Sequence, residues 1–209
     1  AGIFRQTRGM PLVWCSGQDI DRIVTIFKAC LRAKRQFIVD MYTAEILRAT
    51  GNERLPQASW DRVRVFLPKS QKWRIIENEA FDVANSYRRF RIYPEQLCDV
   101  ASESVMLFRP SIVRDLEAAK CLDGACVVCS VWGGYLEKEQ NRWFVEWMDR
   151  RGLPKHPCHT SGHASVTDLL RMRAAFPDAV AVPVHLSDRG RFAALFGKVA
   201  LHDDGEWWE

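Results

Sequence analysis

Near the C-terminus the sequence reads His159-Thr160-Ser161-Gly162-His163-Ala164-Ser165 and, about twenty residues later, Val182-Pro183-Val184-His185. Imidazoles ligate metals or carry protons near neutral pH, and serine hydroxyls hydrogen-bond to oxyanions. This is the densest concentration of such groups in the chain. His159 and His163 flank a Ser-Gly turn ahead of a helix predicted over residues 166–176, and His185 closes an apolar strand predicted over 179–184. Strand, glycine turn, helix, strand, histidine is how α/β enzymes gather distant side chains at strand ends. Plainer duties fit the same residues: a loop or capping histidine beside the glycine, and a satisfied strand-end histidine at 185. Pattern alone leaves both readings open.

The segment 159–165, the helix after it and Pro183-Val184-His185 resemble the C-terminal motifs of metallo-β-lactamase-fold nucleases that carry a β-CASP domain, the ribonuclease J-like proteins. Thr160 stands where that family has valine, and Leu186-Ser187-Asp188 replaces its Gly-Glu. Residues 12–22, 37–45 and 130–135 are similar to strand-loop-helix pieces of the β-CASP insert. The resemblance implies a zinc-dependent phosphodiesterase acting on RNA or DNA. In it His185 is a metal ligand and His163 the residue that protonates the leaving group or contacts the scissile phosphate. His159, Ser161, Ser165 and Ser16 would bind substrate or phosphate. The family's His-x-His-x-Asp-His metal loop is missing, and all five histidines fall in the last quarter of the sequence. A catalytic zinc takes three protein ligands or more, so zinc would require ligands from outside this chain. The implied partner is the N-terminal metallo-β-lactamase half or a separate chain that supplies it, with nucleic acid as a further partner.

A serine-hydrolase reading fails, because the Ser161 and Ser165 run has no Gly-x-Ser-x-Gly elbow. Ser165 also reads as the N-cap of the helix after it, with Asp168 in the first turn. Two other loops sit where open α/β sheets bind ligands, Ser16-Gly17-Gln18-Asp19 and residues 130–135 with Gly133-Gly134. Neither is a dinucleotide fingerprint or a P-loop. Asp40, just past a strand, reads as a helix start with Thr43 or as a cleft carboxylate.

The chain has 209 residues, a net charge of +4 and seven cysteines. That charge is too small to diagnose nucleic-acid binding, and basic groups such as Arg32, Lys34 and Arg35 or Arg88, Arg89 and Arg91 read as solvated faces. An odd cysteine count at irregular spacing predicts free thiols and a cytoplasmic location. Cys126-Val127-Val128-Cys129 lies in a β-like run, which puts its two thiols on opposite faces of a strand as core groups. No run is apolar enough to span a membrane, and no signal peptide precedes the first motif. A start at Ala1 fits a processed product or a fragment.

Short apolar runs alternate with amphipathic stretches, predicting an α/β fold: a Rossmann-like parallel sheet with flanking helices. Strands are expected at 12–15, 37–39, 63–67, 105–108 and 125–131. Helices are expected after 19 (apolar face Ile20, Ile23, Val24, Phe27, Leu31), at 43–48, 72–87, 112–120 and 137–150. Gly152 and Pro154 mark a boundary between a β-CASP-like domain, 1–150, and a C-terminal αβ segment of a metallo-β-lactamase-type domain, 151–209. The second piece is expected to hold strands at 157–160, 179–184 and 198–202 and a helix near 191–196. Its apolar residues Val180, Val182, Val199, Leu201, Trp207 and Trp208 would need a covering partner. A non-catalytic α/β module that binds nucleic acid or a protein partner is the alternative function.

Overall fold

The structure, a computed structural model, describes residues 1–159, 164–184, 186 and 188–208. Thr160, Ser161, Gly162, His163, His185, Ser187 and Glu209 lie outside the described residues. Two compact units divide the chain, Ala1–Thr160 and Ser161–Glu209.

The first unit is an α/β layer structure built on one parallel sheet. Its strands are β1 (Pro11–Trp14), β2 (Gln36–Asp40), β3 (Val63–Phe66), β4 (Arg91–Ile92), β5 (Ser104–Phe108), β6 (Cys126–Cys129) and β7 (Lys155–Pro157). Their order across the sheet is β4-β3-β2-β5-β1-β6-β7, and every pairing is parallel. Parallel strands are covered on both faces, so they read as continuous apolar runs rather than alternating ones. All four residues of β1 are buried, as are all five of β5 and all four of β6.

The helices of this unit are α1 (Gly2–Gln6), α2 (Ile20–Arg32), α3 (Met41–Ala49), α4 (Lys69–Glu77), α5 (Phe81–Ser86), α6 (Val113–Ala118), α7 (Gly134–Glu137) and α8 (Arg142–Arg150). On one face of the sheet, Ile23, Ile26, Phe27 and Cys30 of α2 pack with Ala44 and Leu47 of α3 over Val13, Phe37, Val39 and Leu107. On the other face, Leu116 of α6 and Phe144, Trp147 and Met148 of α8 pack over Leu12, Trp14, Ile38, Phe108 and Val127. Cys126 belongs to the first layer and Cys129 to the second, the opposite-face placement that the strand period of two requires. Burying each large side chain of these layers contributes about 1.5–3 kcal/mol.

Several local expectations are corrected. The apolar face of α2 uses Ile26 and Cys30, while Leu31 is exposed. The single helix expected over 72–87 is two, α4 and α5, broken where Glu79 adopts a left-handed φ of 51°. The helix expected over 137–150 is divided into α7, a 3-10 turn at Glu139–Asn141, and α8. Strand β7 lies beyond the boundary read at residue 150, yet it pairs with β6 inside the first unit. Arg35, grouped with solvated cations on sequence, is buried and donates to the carbonyls of Thr7, Gly9 and Ser104 at the amino ends of β1 and β5.

The second unit holds α9 (Val166–Ala175) and α10 (Arg189–Phe196). The strands expected over 179–184 and 198–202 are reduced to one isolated parallel bridge between Ala181 and Val199. An isolated pair of short strands is marginal in water, which accounts for the difference. No helix among the described residues is long and apolar enough to cross a membrane.

Candidate functional site

Ligands of open α/β sheets lie at the carboxyl ends of strands, where neighbouring connections leave to opposite faces. Here that point is β5. The helices that follow its neighbours β1 and β2 pack on one face, while α6, which follows β5, packs on the other. A crevice must therefore open above the end of β5, and the first residue beyond that strand is Arg109.

Arg109 forms an ion pair with Asp40, the last residue of β2, and its Nη2 also lies 3.2 Å from Thr43 Oγ1. Asp40 is 4% exposed, and each of its oxygens has a partner. Oδ1 accepts from the Thr43 amide at 2.8 Å, capping α3, and Oδ2 also accepts from Gln71 Nε2 at 2.8 Å. The helix-start reading of Asp40 holds, and its carboxylate is buried in the pair with Arg109. The Arg109 guanidinium lies 4.7 Å above the Tyr42 ring, and its buried Nε has no hydrogen-bond partner among the described residues. Gly17, in the loop after β1, is where this cluster meets β1. A Cβ there would stand 2.5 Å from Thr43 Oγ1 and 3.2 Å from Arg109 Nη2, so a side chain has no room. A cleft of about 540 Å3 opens beside Arg109, lined also by Tyr42, Glu45, Gln71 and Arg74.

A second polar network ties together the loops after β1, β6 and β7. Asp19 caps α2 through the Arg22 amide at 3.1 Å and pairs with Arg22 Nε at 2.8 Å. Arg22 Nη1 reaches Ser130 Oγ at 2.9 Å, and Ser130 Oγ donates to the Cys158 carbonyl at 2.8 Å. Burial pushes the Asp19 carboxyl up, but hydrogen bonds and charge from Arg22, with neighbouring His159, outweigh it and hold the group below the ordinary carboxylate value. Gln18 Nε2 donates to Tyr42 Oη at 2.6 Å and so links the two networks. Between them lies Cys15, whose thiol is pushed up to about 12 by burial first and Asp19 second, against Arg22 and Arg109. A thiol held so firmly neutral is core, not a nucleophile.

The candidate residues of the sequence fall in different places. Ser16 is exposed at the loop after β1, where its Oγ accepts from the Gln18 amide at 3.2 Å. His159 is exposed on the same edge, close enough to Asp19 to act on its carboxyl. These two share the carboxyl edge of the first unit. Ser165 belongs to the second unit and caps α9, the helix-start reading of the sequence. Its Oγ accepts from the Asp168 amide at 3.1 Å and lies 2.7 Å from Asp168 Oδ2, which occupies the hydroxyl. His163, Ser161 and His185 lie outside the described residues. A Cβ at Gly134 would stand 2.3 Å from the Trp132 ring, which fills the space beside that glycine. Trp132 and Tyr135, both exposed, meet edge to face at 6.2 Å, with Lys138 Nζ 4.5 Å from the Tyr135 ring centroid.

Among the described residues no group of three or more His, Cys, Asp or Glu side chains stands close enough to hold a metal ion. The edge presents exposed hydroxyl, amide, imidazole, aromatic and ammonium groups around an internally paired base. Sequence reasoning missed Arg109, Arg22, Tyr42 and Gln71. The one available signal was position, since residues just past a parallel strand fall at the ligand edge.

No family model matches the chain, and no curated protein matches it. Among solved structures, it is similar to a protein of unknown function from Enterococcus faecalis V583, with a TM-score of 0.66 and 17% identity. The match covers 98% of this chain and 42% of that one. At that identity the likeness is one of fold, and the chain spans less than half the length of the protein it matches.

Proposed function

We propose that this chain is the substrate-recognition part of a larger metallohydrolase, a zinc-dependent phosphodiesterase or nuclease of the metallo-β-lactamase and β-CASP type, and that it is inactive alone. The observation that carries this reading is the uncovered apolar surface of the second unit. Met172 and Phe176 are 59% and 62% exposed, Val184 is 77% and Trp207 96%, and α9 buries no residue. A patch of this kind marks an interface. Polypeptide outside this chain, carrying the missing ligand loop, is the covering that the resemblance calls for. In this reading the chain's own share is binding and orientation by the carboxyl-edge loops, with His159 and Ser16 at the substrate phosphates. His185 is its single contribution to the metal shell, and His163 the acid or phosphate contact. Zinc would supply the activation of water.

The aromatic and cationic rim of Trp132, Tyr135 and Lys138 favours a second reading, a non-catalytic module on which single-stranded nucleic acid stacks. The two are separated by assaying metal content and phosphodiesterase turnover on this chain alone and on the longer protein that contains it. Metal-dependent turnover only in the longer protein, abolished by His185→Ala, is expected. Turnover that survives His185→Ala, or a longer protein that binds no metal, overturns the first reading. Tight RNA binding indifferent to both histidines supports the second.

A further inference from the structure

At the opposite edge of the sheet, where β2, β3 and β4 begin, Lys34, Arg62, Arg64 and Arg91 line one cavity of about 430 Å3. They arrive from three separate stretches of chain: Lys34 from the turn after α2, Arg62 and Arg64 from the start of β3, and Arg91 from the first position of β4. Asp61 and Glu103 also face the cavity, so four cations stand against two carboxylates, a surplus of two. Asp61 is engaged only by Arg62, at 3.9 Å across an exposed pair. Among the described residues, Lys34, Arg64 and Arg91 form no ion pair.

Two local details hold these cations at the cavity. Arg91 lies over the Tyr93 ring at 4.8 Å, and its Nε is buried with no hydrogen-bond partner among the described residues. Lys34 and Arg62 both adopt left-handed backbone conformations, with φ of 59° and 65°, and Arg62 Nη1 donates to the Lys34 carbonyl at 3.3 Å. Glycine takes such conformations without strain, whereas here two long cations occupy them side by side on one cavity.

We propose that this cavity binds a small phosphorylated molecule through its phosphate or diphosphate group. Guanidinium forks match the spacing of phosphate oxygens, and three of them converge here with one ammonium. The recess is concave and of small-ligand size. Its cations converge on one volume, whereas a strand-binding groove would spread them along a backbone track.

Titration calorimetry of the full chain with inorganic diphosphate at physiological ionic strength tests this. One site is expected. Arg64→Gln and Arg91→Gln should each weaken binding about tenfold, the loss that one charge-assisted hydrogen bond represents. Glu103→Gln should tighten it severalfold, and Arg89→Gln, exposed and outside the cavity, should leave it unchanged. Lys34→Gln, at an exposed position, repeats the test should the Arg91 variant melt early by circular dichroism. Absence of binding at millimolar diphosphate, or equal weakening by Arg89→Gln, overturns the proposal. So does an oligonucleotide that depends on Arg64 and Arg91 where diphosphate does not bind.

Discussion

Residues 1–160 and residues 161–209 obey the same chemistry with opposite results. In the first stretch each apolar run lies in a sheet covered on both faces, and Phe37, Phe66, Phe108 and Phe144 are wholly enclosed. In the second, Phe196 is the buried large apolar residue among those described. An apolar pattern gives a strand only where the rest of the sheet is present to receive it. Val180, Leu201 and Trp208 therefore remain exposed, and one bridge stands where two strands were expected.

The widest gap between the regions should appear on truncation. Phe108→Ala should cost about 3–5 kcal/mol by urea unfolding, as deletion of a buried aromatic does. Met172→Ala, on the open face of α9, should stay within about 0.5 kcal/mol. Equal losses would break the contrast.

Next in size is Arg109→Ala, which strands the buried Asp40 carboxylate against Gln71 and the Thr43 amide. A loss of about 3 kcal/mol is expected, since removing one partner leaves a charge without compensation. The double variant Arg109→Ala with Asp40→Asn should recover part of it. A single-variant loss near zero would mean that the crevice floor is not held by this pair.

The smallest effect is the acid limb of stability. The folded value of Asp19 lies below its ordinary 3.8, so its contribution is full above that pH and disappears as pH falls through the folded value. The side chain is partly exposed, and solvent screening keeps the effect to about 0.5 kcal/mol or less. Asp19→Asn should flatten the pH dependence of unfolding below pH 4, because the variant loses up to about 0.5 kcal/mol at neutral pH and nothing once the pH is below the folded value of Asp19. An unchanged acid limb would remove Asp19 as a tuned group.

What was legible in the sequence divides along the same line. Strands around residues 12–15, 37–39, 63–67, 105–108 and 125–131 were readable because a doubly covered parallel strand needs an uninterrupted apolar run. Strand β4 was not, being two residues long and beginning with Arg91. The break between α4 and α5 carries no glycine or proline; Glu79 takes the left-handed turn itself. Asp40 was noticed, but its partner lies 69 residues away and meets it only because β5 is seated beside β2. Local pattern carries no trace of such pairings. The histidine run drew attention by its spacing and its resemblance, and His159, the member of it that is described, lies at the carboxyl edge of the sheet.

The seat of β5 also bears on how the chain assembles. Strand β5 lies between β1 and β2, which precede it by most of a hundred residues, so the nascent polypeptide holds two inner strands that cannot close on one another. Until residue 108 is made, both present bare amide and carbonyl rows toward an empty slot, the surface on which stray strands add. Folding must wait for that distant segment, and long waits over long loops are slow. Ribosome-stalled chains ending near residue 100 should therefore recruit chaperones heavily, and release should come with the insertion of one five-residue strand.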